Sequence, residues 1–236
     1  IPRADGIRVV SERIRQSLIT CHMSRVAKIV VLPIQVDIDK IQAAPIVTNL
    51  HTKYPQFNFI ILIASRLTKE KNISLAIEAM AEIIKRDTNI RIHANDTNNT
   101  NNARKNIGLV ICGEGPELNN LKLITYNLKL TANVKFEGWL ADLPSYYKTA
   151  DLFLLTSNYE GYGRTVIEAM AVGLPVVMTD IGLAGETVIN GENGIVVPVG
   201  DSKALVDSIG YLITDKSKRD RFSANAPKTV EALSNT

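Results

Sequence analysis

Short apolar runs of strand length alternate along this chain with longer amphipathic stretches of helix length. Most of the runs are apolar at every position, as expected for strands of a parallel sheet that is covered on both faces. Parallel neighbours need a crossover, usually a helix, to return the chain. The alternation therefore predicts an α/β fold with a parallel sheet and helices on both faces. We interpret residues 60–64, 108–112, 134–136, 152–155, 175–178 and 195–197 as strands.

The clearest helix is predicted between the first two strands. Apolar side chains recur there at positions i, i+3, i+4, i+7, i+10 and i+11, which places them on one face of a helix that packs on the sheet. They are Ile73, Ala76, Ile77, Met80, Ile83 and Ile84.

Composition and charge exclude several classes of protein. Of the 236 residues, 45% are hydrophobic and 22% charged, which excludes a disordered, collagen-like or disulfide-scaffold chain. The net charge of +3 is too small for a dedicated nucleic-acid binder, so we expect no nucleic-acid partner. No apolar run approaches the roughly 18 residues of a membrane-spanning helix. Cys21 and Cys112 lack metal-binding spacing and are too few for a disulfide framework, so we expect ordinary thiols and a cytoplasmic protein.

Two segments differ from the rest of the chain. Residues 1–35 resemble one leftover βα unit with a crossover linker, and we expect residues 36–236 to form the main domain. The chain starts without Met or a secretory signal, directly at a turn and a strand, so we expect it to be incomplete at its N-terminus. Residues 95–102 form a polar insert, expected to be a mobile surface loop. Its two Asn-x-Thr sequons, at Asn95 and Asn98, are expected to carry no glycan.

Residues 157–175 contain the densest group of candidate functional residues. A strand ends there, a loop with Gly161 and Gly163 follows, and a helix is predicted to begin near Arg164. The glycines allow a positive φ or close approach of a ligand to the backbone. Amides at a helix N-terminus lack intrahelical acceptors and favour anions, so we expect a phosphate at this edge of the sheet. The amides expected to face it belong to Gly163, Arg164, Thr165 and Val166.

Two carboxylates flank this loop. Glu160 precedes the glycines and Glu168 lies one turn inside the predicted helix, so both can face one cleft, one at a ribose and one at a sugar. Each feature is weak alone, because a Gly-x-Gly before a helix is common and a Glu early in a helix more often complements the helix dipole. The same stretch also contains Glu-Ala-Met-Ala at residues 168–171 and Gly-Leu-Pro-Val-Val at residues 173–177. The combination of all these features is far more specific than any one of them.

The whole stretch resembles the C-terminal half of a GT-B glycosyltransferase of family 4, marked by a Glu-x7-Glu motif and Glu-Ala-Met-Ala-x-Gly-x-Pro-Val. The resemblance implies a Rossmann-like domain that binds a nucleoside-diphosphate sugar, and a retaining transfer of a hexose to an acceptor hydroxyl. It further implies that Glu168 accepts hydrogen bonds from the ribose. Glu160 would accept them from the sugar and stabilise positive charge at an oxocarbenium-like centre.

Upstream loops share the resemblance. Residues 65–72 are similar to the family's Arg-Leu-x-x-x-Lys loop, in which the two cations, here Arg66 and Lys71, hold the donor diphosphate. Arg66 follows a strand and Lys71 precedes a helix, so both can converge on an anion, although a solvated basic loop is the alternative.

Trp139 is either a packing residue or part of a turn around the nucleotide base. The nucleotide contacts expected in all are Gly113, Leu140, Asp142, Gly161, Tyr162, Gly163, Arg164, Thr165, Val166 and Glu168.

The chain also departs from the family. The acceptor-binding half is missing apart from residues 1–35, and the C-terminal helix that packs back onto that half is expected to be absent too. We therefore expect this chain alone to bind donor better than it transfers sugar. A glycan or lipid-linked acceptor, and any peripheral association with the inner face of the membrane, would involve the missing half. We assign no Asp-x-Asp dication site in this chain, so we expect no metal and no cofactor apart from the donor substrate.

Two other functions are weighed against a transferase. A non-catalytic nucleotide-sugar-binding module, or a subunit that needs a partner half, is compatible with the same motifs. An NAD-dependent oxidoreductase is disfavoured, because Gly113-Glu114-Gly115-Pro116 lacks the third glycine of the dinucleotide fingerprint and carries a proline.

Overall fold

The computed structural model describes residues 6–20, 28–93 and 106–234. The strands in these ranges are β1 (Ile7–Val9), β2 (Ile29–Val31), β3 (Phe59–Ala64), β4 (Ile107–Cys112), β5 (Val134–Gly138), β6 (Leu152–Leu155), β7 (Val176–Thr179) and β8 (Ile195–Val197). The helices are α1 (Glu12–Thr20), α2 (Ile38–Ala43), α3 (Leu50–Lys53), α4 (Ile73–His93), α5 (Leu118–Asn127), α6 (Leu143–Thr149), α7 (Arg164–Ala171), α8 (Ser202–Thr214) and α9 (Lys216–Ser234). The predicted polar insert and Cys21 lie outside the described residues.

The main sheet has six parallel strands in the order β5-β4-β3-β6-β7-β8. Every residue of β3, β4, β6 and β7 is buried, which explains why the sequence is apolar at successive positions there. All six predicted strands are confirmed, with their ends shifted by no more than two residues. The fold is a Rossmann-like α/β fold, as predicted.

Helices cover both faces of this sheet. Ile60 and Leu62 of β3 belong to one core cluster, together with residues of α2 and α7. Ile61 and Ile63 point the other way and join a second cluster with α4 and α8. The apolar stripe predicted from Ile73 onward lies in α4 and faces this second cluster.

The chain reverses its direction across the sheet between β3 and β6. From β3 it adds β4 and β5 on one side, then crosses over to place β6, β7 and β8 on the other. The loops that follow β3 and β6 therefore both begin at this reversal point of the carboxyl edge. Ligands of open parallel sheets bind at such a reversal point.

Strands β1 and β2 pair with each other in a separate two-stranded parallel sheet, next to α1. The first amides of α1, those of Glu12 and Arg13, donate to the carboxylate of Glu186 over 3.1 and 2.6 Å. The Arg13 guanidinium also pairs with Asp180 at 2.8 Å. A boundary at residue 35 remains a prediction.

None of the described helices combines the length and the apolar character needed to cross a membrane.

Gly113 is predicted to be irreplaceable for packing. Its φ is +134°, and a Cβ there would lie 1.9 Å from the carbonyl oxygen of Ser65. We expect Gly113→Ala to lower the free energy of unfolding by roughly 2–4 kcal/mol, because it adds both backbone strain and a clash. The matched control is Gly210→Ala in α8, where an added Cβ meets nothing within 4 Å. It is expected to stabilise by about 0.5–1 kcal/mol. Urea unfolding measures both, and changes of the same sign would contradict this account.

Candidate functional site

The loops after β3 and β6 meet at the reversal point and are joined by three hydrogen bonds in addition to an ion pair between Lys71 and Glu160. The amide of Asn158 donates to the carbonyl of Glu70 over 2.7 Å, and the Thr156 hydroxyl donates to the carbonyl of Lys71 over 3.1 Å. The side-chain NH₂ of Asn72 donates to the side-chain oxygen of Asn158 over 3.1 Å. These bonds fix the relative position of the two loops that carry most of the predicted site residues.

Lys71 and Glu160 form a buried ion pair between these loops. The Lys71 Nζ lies 2.5 Å from Glu160 Oε1, and the two side chains are only 12% and 13% exposed. The Ser157 hydroxyl donates to the same Oε1 over 3.0 Å. Sequence analysis assigned Lys71 to the diphosphate of the donor and Glu160 to its sugar. The structure brings the two side chains together, at the end of β6.

Arg66 combines a fixed backbone position with an exposed side chain. The neighbouring amides of Ser65 and Leu67 donate to the carbonyls of Cys112 and Glu114 over 3.0 and 2.8 Å, which holds the loop against β4. The guanidinium is 78% exposed, with Glu70 at 3.9 Å as its ion-pair partner. Arg66 is therefore a positive charge at the carboxyl edge that a ligand can reach.

Gly163 makes the sharp entry into α7. Its φ of +102° is left-handed, which glycine adopts without strain, and the helix begins at Arg164 as predicted. Within the described part of the chain, the amides of Gly163, Arg164 and Thr165 have no acceptor. The expectation for Val166 is wrong, because its amide donates to the carbonyl of Gly163 over 2.9 Å in a tight first turn.

Gly161 and Tyr162 precede Gly163 in the same loop, and neither requires a special backbone conformation in this structure. At Gly161 the φ is not positive and a Cβ would meet nothing within 4 Å, so the protein itself does not require glycine there. The Tyr162 side chain is buried in the core, where burial, with the Glu186 carboxylate as a second cause, raises its pKa. The expected nucleotide contact of Tyr162 stays a prediction, and its side chain packs inside the protein.

Glu168 is held by two protein donors. Arg164 Nε lies 2.8 Å from its Oε1, and the hydroxyl of Tyr147 in α6 donates to its Oε2 over 2.9 Å. Burial, followed by the Glu168 carboxylate, raises the pKa of Tyr147 well above its usual value, so this hydroxyl stays protonated and continues to donate. A ligand hydroxyl would share or displace one of these donors.

The loops after β4 and β5 pack tightly on one another. The Gly113 amide donates to the carbonyl of Gly138 over 2.6 Å. Leu140 is half-buried against the core, and Asp142 accepts from the Ser145 hydroxyl over 2.7 Å in the first turn of α6. Trp139 is 71% exposed, so the packing interpretation of this residue is wrong.

Ser157 and Tyr147 contact the site carboxylates, and sequence reasoning gave neither a role. The two polar residues that follow the buried strand β6, Thr156 and Ser157, were a signal for Ser157. Tyr147 gave no signal, because it precedes Glu168 by 21 residues and lies on another helix. Among the described residues, no group of three or more His, Cys, Asp and Glu side chains is arranged to bind a metal ion.

Comparison with known families agrees with this architecture. The family model described as "Glycosyl transferases group 1" matches residues 51–229. This chain therefore belongs to the glycosyl transferases group 1 family, and it corresponds to the C-terminal half of a GT-B fold.

Individual relatives support the assignment. The chain is 28% identical over 235 residues to the capsular polysaccharide biosynthesis glycosyltransferase CapM of Staphylococcus aureus, covering 97% of this chain and 57% of CapM. It is 35% identical over 129 residues to the lipopolysaccharide core biosynthesis mannosyltransferase LpsB of Rhizobium meliloti, covering 52% of this chain and 37% of LpsB. Anabaena HepE, solved in complex with UDP and glucose, superposes with a TM-score of 0.79 at 25% identity, covering 97% of this chain and 59% of HepE. The chain thus spans little more than half the length of CapM and HepE.

Proposed function

We propose that this chain is the donor-binding domain of a retaining glycosyltransferase that moves a hexose from a nucleoside-diphosphate sugar to an acceptor hydroxyl in glycan or glycolipid biosynthesis. The observation that carries the proposal is the convergence of Lys71, Glu160 and the N-terminus of α7 at the reversal point of the sheet. The complex of HepE with UDP and glucose supports a nucleotide sugar as the ligand class. The names of CapM and LpsB support a role in polysaccharide biosynthesis.

The leaving diphosphate gains negative charge as the glycosidic bond breaks. Arg66 is exposed at the edge, and Lys71 lies further along the same loop, so both can neutralise this charge. The free amides at the start of α7 add donors that are already oriented, which avoids the cost of reorganisation during the reaction. The proposal therefore assigns charge neutralisation to the protein and includes no metal.

The two carboxylates have separate roles in this proposal. Glu168 follows the free amides of α7, so we assign it to the ribose of the nucleotide. Glu160 precedes the glycines on the side of Lys71, so we assign it to the hydroxyls of the transferred sugar. A carboxylate there also stabilises the positive charge that develops at the anomeric carbon.

The remaining parts of the proposal rest on the family resemblance. They are the retaining outcome, the hexose, the division at residue 35, and a cytoplasmic location with peripheral membrane contact through an acceptor-binding half. A non-catalytic nucleotide-sugar-binding module is the second candidate, since the chain spans 57% of CapM and 59% of HepE.

Calorimetric titration of the chain tests the proposed ligand class. The panel is UDP, GDP and ADP with their glucose or mannose conjugates, and NAD serves as the control for a dehydrogenase-type site. We expect at least one nucleotide sugar to bind and NAD not to bind. Binding of NAD in preference to every nucleotide sugar would contradict the proposal.

Removing either cation should weaken binding of the nucleoside diphosphate. We expect Arg66→Ala and Lys71→Ala each to cost about 1.5–3 kcal/mol of binding free energy, the range for a lost hydrogen bond to a charged group, and the fold to survive. The matched control is Lys216→Ala, an exposed lysine beside the residues that precede β6 and β7, at the opposite edge of the sheet. It should leave the affinity unchanged. Parent-like affinity in both site variants would place the diphosphate elsewhere.

The two carboxylates should be separable by ligand. Glu168→Gln is expected to weaken free nucleotide and nucleotide sugar alike, by about 1–3 kcal/mol, because both ligands contain the ribose. Glu160→Gln should spare the free nucleotide and weaken the nucleotide sugar. In a complete enzyme it should lower kcat, because its contact strengthens as charge develops. An equal loss of free-nucleotide affinity in both variants would refute this division of roles.

The chain alone should bind donor but transfer no sugar. Proximity and orientation of the acceptor come from the acceptor-binding half in this proposal, so a protein in which that half is restored should transfer. The measurement is radiolabelled sugar incorporation with both proteins at equal donor occupancy. Equal rates would contradict the two-domain proposal, whereas donor binding without transfer by the restored protein would favour the non-catalytic module.

A further inference from the structure

We propose that Ser157 is a positioning residue that holds Glu160 in the orientation needed to bind the transferred sugar. The inference rests on the proposed role of Glu160 and adds a second residue through which that role is exerted. Ser157 lies between the end of β6 and Glu160, and its hydroxyl donates to Glu160 Oε1 over 3.0 Å.

The position of the Ser157 hydroxyl is fixed from two sides. The residue is completely buried, and its carbonyl accepts a 2.6 Å hydrogen bond from the buried hydroxyl of Thr179 at the end of β7. The strand before it is anchored in the sheet by both neighbours, β3 and β7. A buried hydroxyl needs a partner, and Glu160 Oε1 is the acceptor that this backbone position offers.

Ser157 and Lys71 converge on the same carboxylate oxygen. Both donors contact Oε1, so among the described residues Oε2 of Glu160 has no donor and is available to a sugar hydroxyl. Two donors on one oxygen restrict rotation of the carboxylate, which sets the direction of its second oxygen.

The hydroxyl has a role that the ammonium of Lys71 cannot fulfil alone. Lys71 is also assigned to the diphosphate, and any movement of its Nζ toward that anion lengthens the 2.5 Å contact with Glu160. Ser157 then remains as the donor that keeps Glu160 oriented. Because a hydroxyl is neutral, it orients the carboxylate without cancelling the negative charge that faces the sugar.

The test is a double-mutant cycle read by calorimetry with two ligand pairs, UDP with UDP-glucose and GDP with GDP-mannose. The proteins are the parent chain, Ser157→Ala, Glu160→Gln and the double variant. We expect Ser157→Ala to leave free-nucleotide affinity unchanged and to weaken nucleotide-sugar affinity by about tenfold. In the Glu160→Gln background the same substitution should have little further effect, because residues that act through one another are not additive.

A second variant and a control guard against an effect of folding. Ser157→Cys fills the same space but donates poorly, so it should show the same selective loss. The control is Thr125→Val, which removes another buried hydroxyl, bonded within α5 to the Leu121 carbonyl at 2.8 Å. It should change neither affinity. Unchanged free-nucleotide affinity in each variant shows that the site is still folded.

Several results would overturn the inference. The first is that Ser157→Ala and Ser157→Cys lose affinity equally for the free nucleotide and the nucleotide sugar. The second is that neither variant loses affinity for either ligand. The third is that Ser157→Ala still weakens nucleotide-sugar affinity in full when residue 160 is already Gln. A selective effect of Glu160→Gln without one of Ser157→Ala refutes the role of Ser157 alone. If the parent chain binds none of the nucleotide sugars of the UDP, GDP and ADP panel, the proposed function fails together with this inference. If Glu160→Gln is silent in a chain that binds a nucleotide sugar, the proposed role of Glu160 and this inference fail, whereas the donor-binding function stands.

Discussion

Complete burial of the central strands is the constraint on which the rest of this structure depends. β3 and β6 have helices on both faces, so their backbone groups can be satisfied only by neighbouring strands. All six strands of the sheet are parallel, and their carboxyl ends therefore meet at one edge. The reversal of strand order between β3 and β6 brings the loops that follow these two strands together at that edge. The location of the site thus follows from the topology of the sheet.

Electrostatics within the site follow from unequal burial of its charges. Lys71 and Glu160 are nearly removed from solvent, where an isolated charge would be costly, and each supplies the other's counter-charge. Arg66 on the same loop is largely solvated and needs no such partner. An incoming diphosphate would meet Arg66 directly but would compete with Glu160 for Lys71. Our inference assigns Ser157 as the neutral donor that stays on Glu160 during that exchange.

Sequence reasoning succeeded where a local pattern has one physical explanation. Continuous apolar runs identify strands covered on both faces, and Gly163 before Arg164 marks the start of α7 because glycine adopts the left-handed conformation that the turn requires. It failed where the answer depends on contacts made by distant residues. The tight first turn of α7 occupies the Val166 amide, and the exposure of Trp139 depends on how the loop after β5 leaves the sheet.

The sequence by itself determined the α/β class, the family resemblance and the set of charged residues near the site. Periodicity and motif spacing are local properties, so they can be recognised in the sequence without a structure. Only the tertiary structure decided which of these side chains meet. Lys71 and Glu160 are 89 residues apart in sequence, and Tyr147 reaches Glu168 from a different helix. Such pairings are set by the order in which parallel strands assemble, which no single segment encodes.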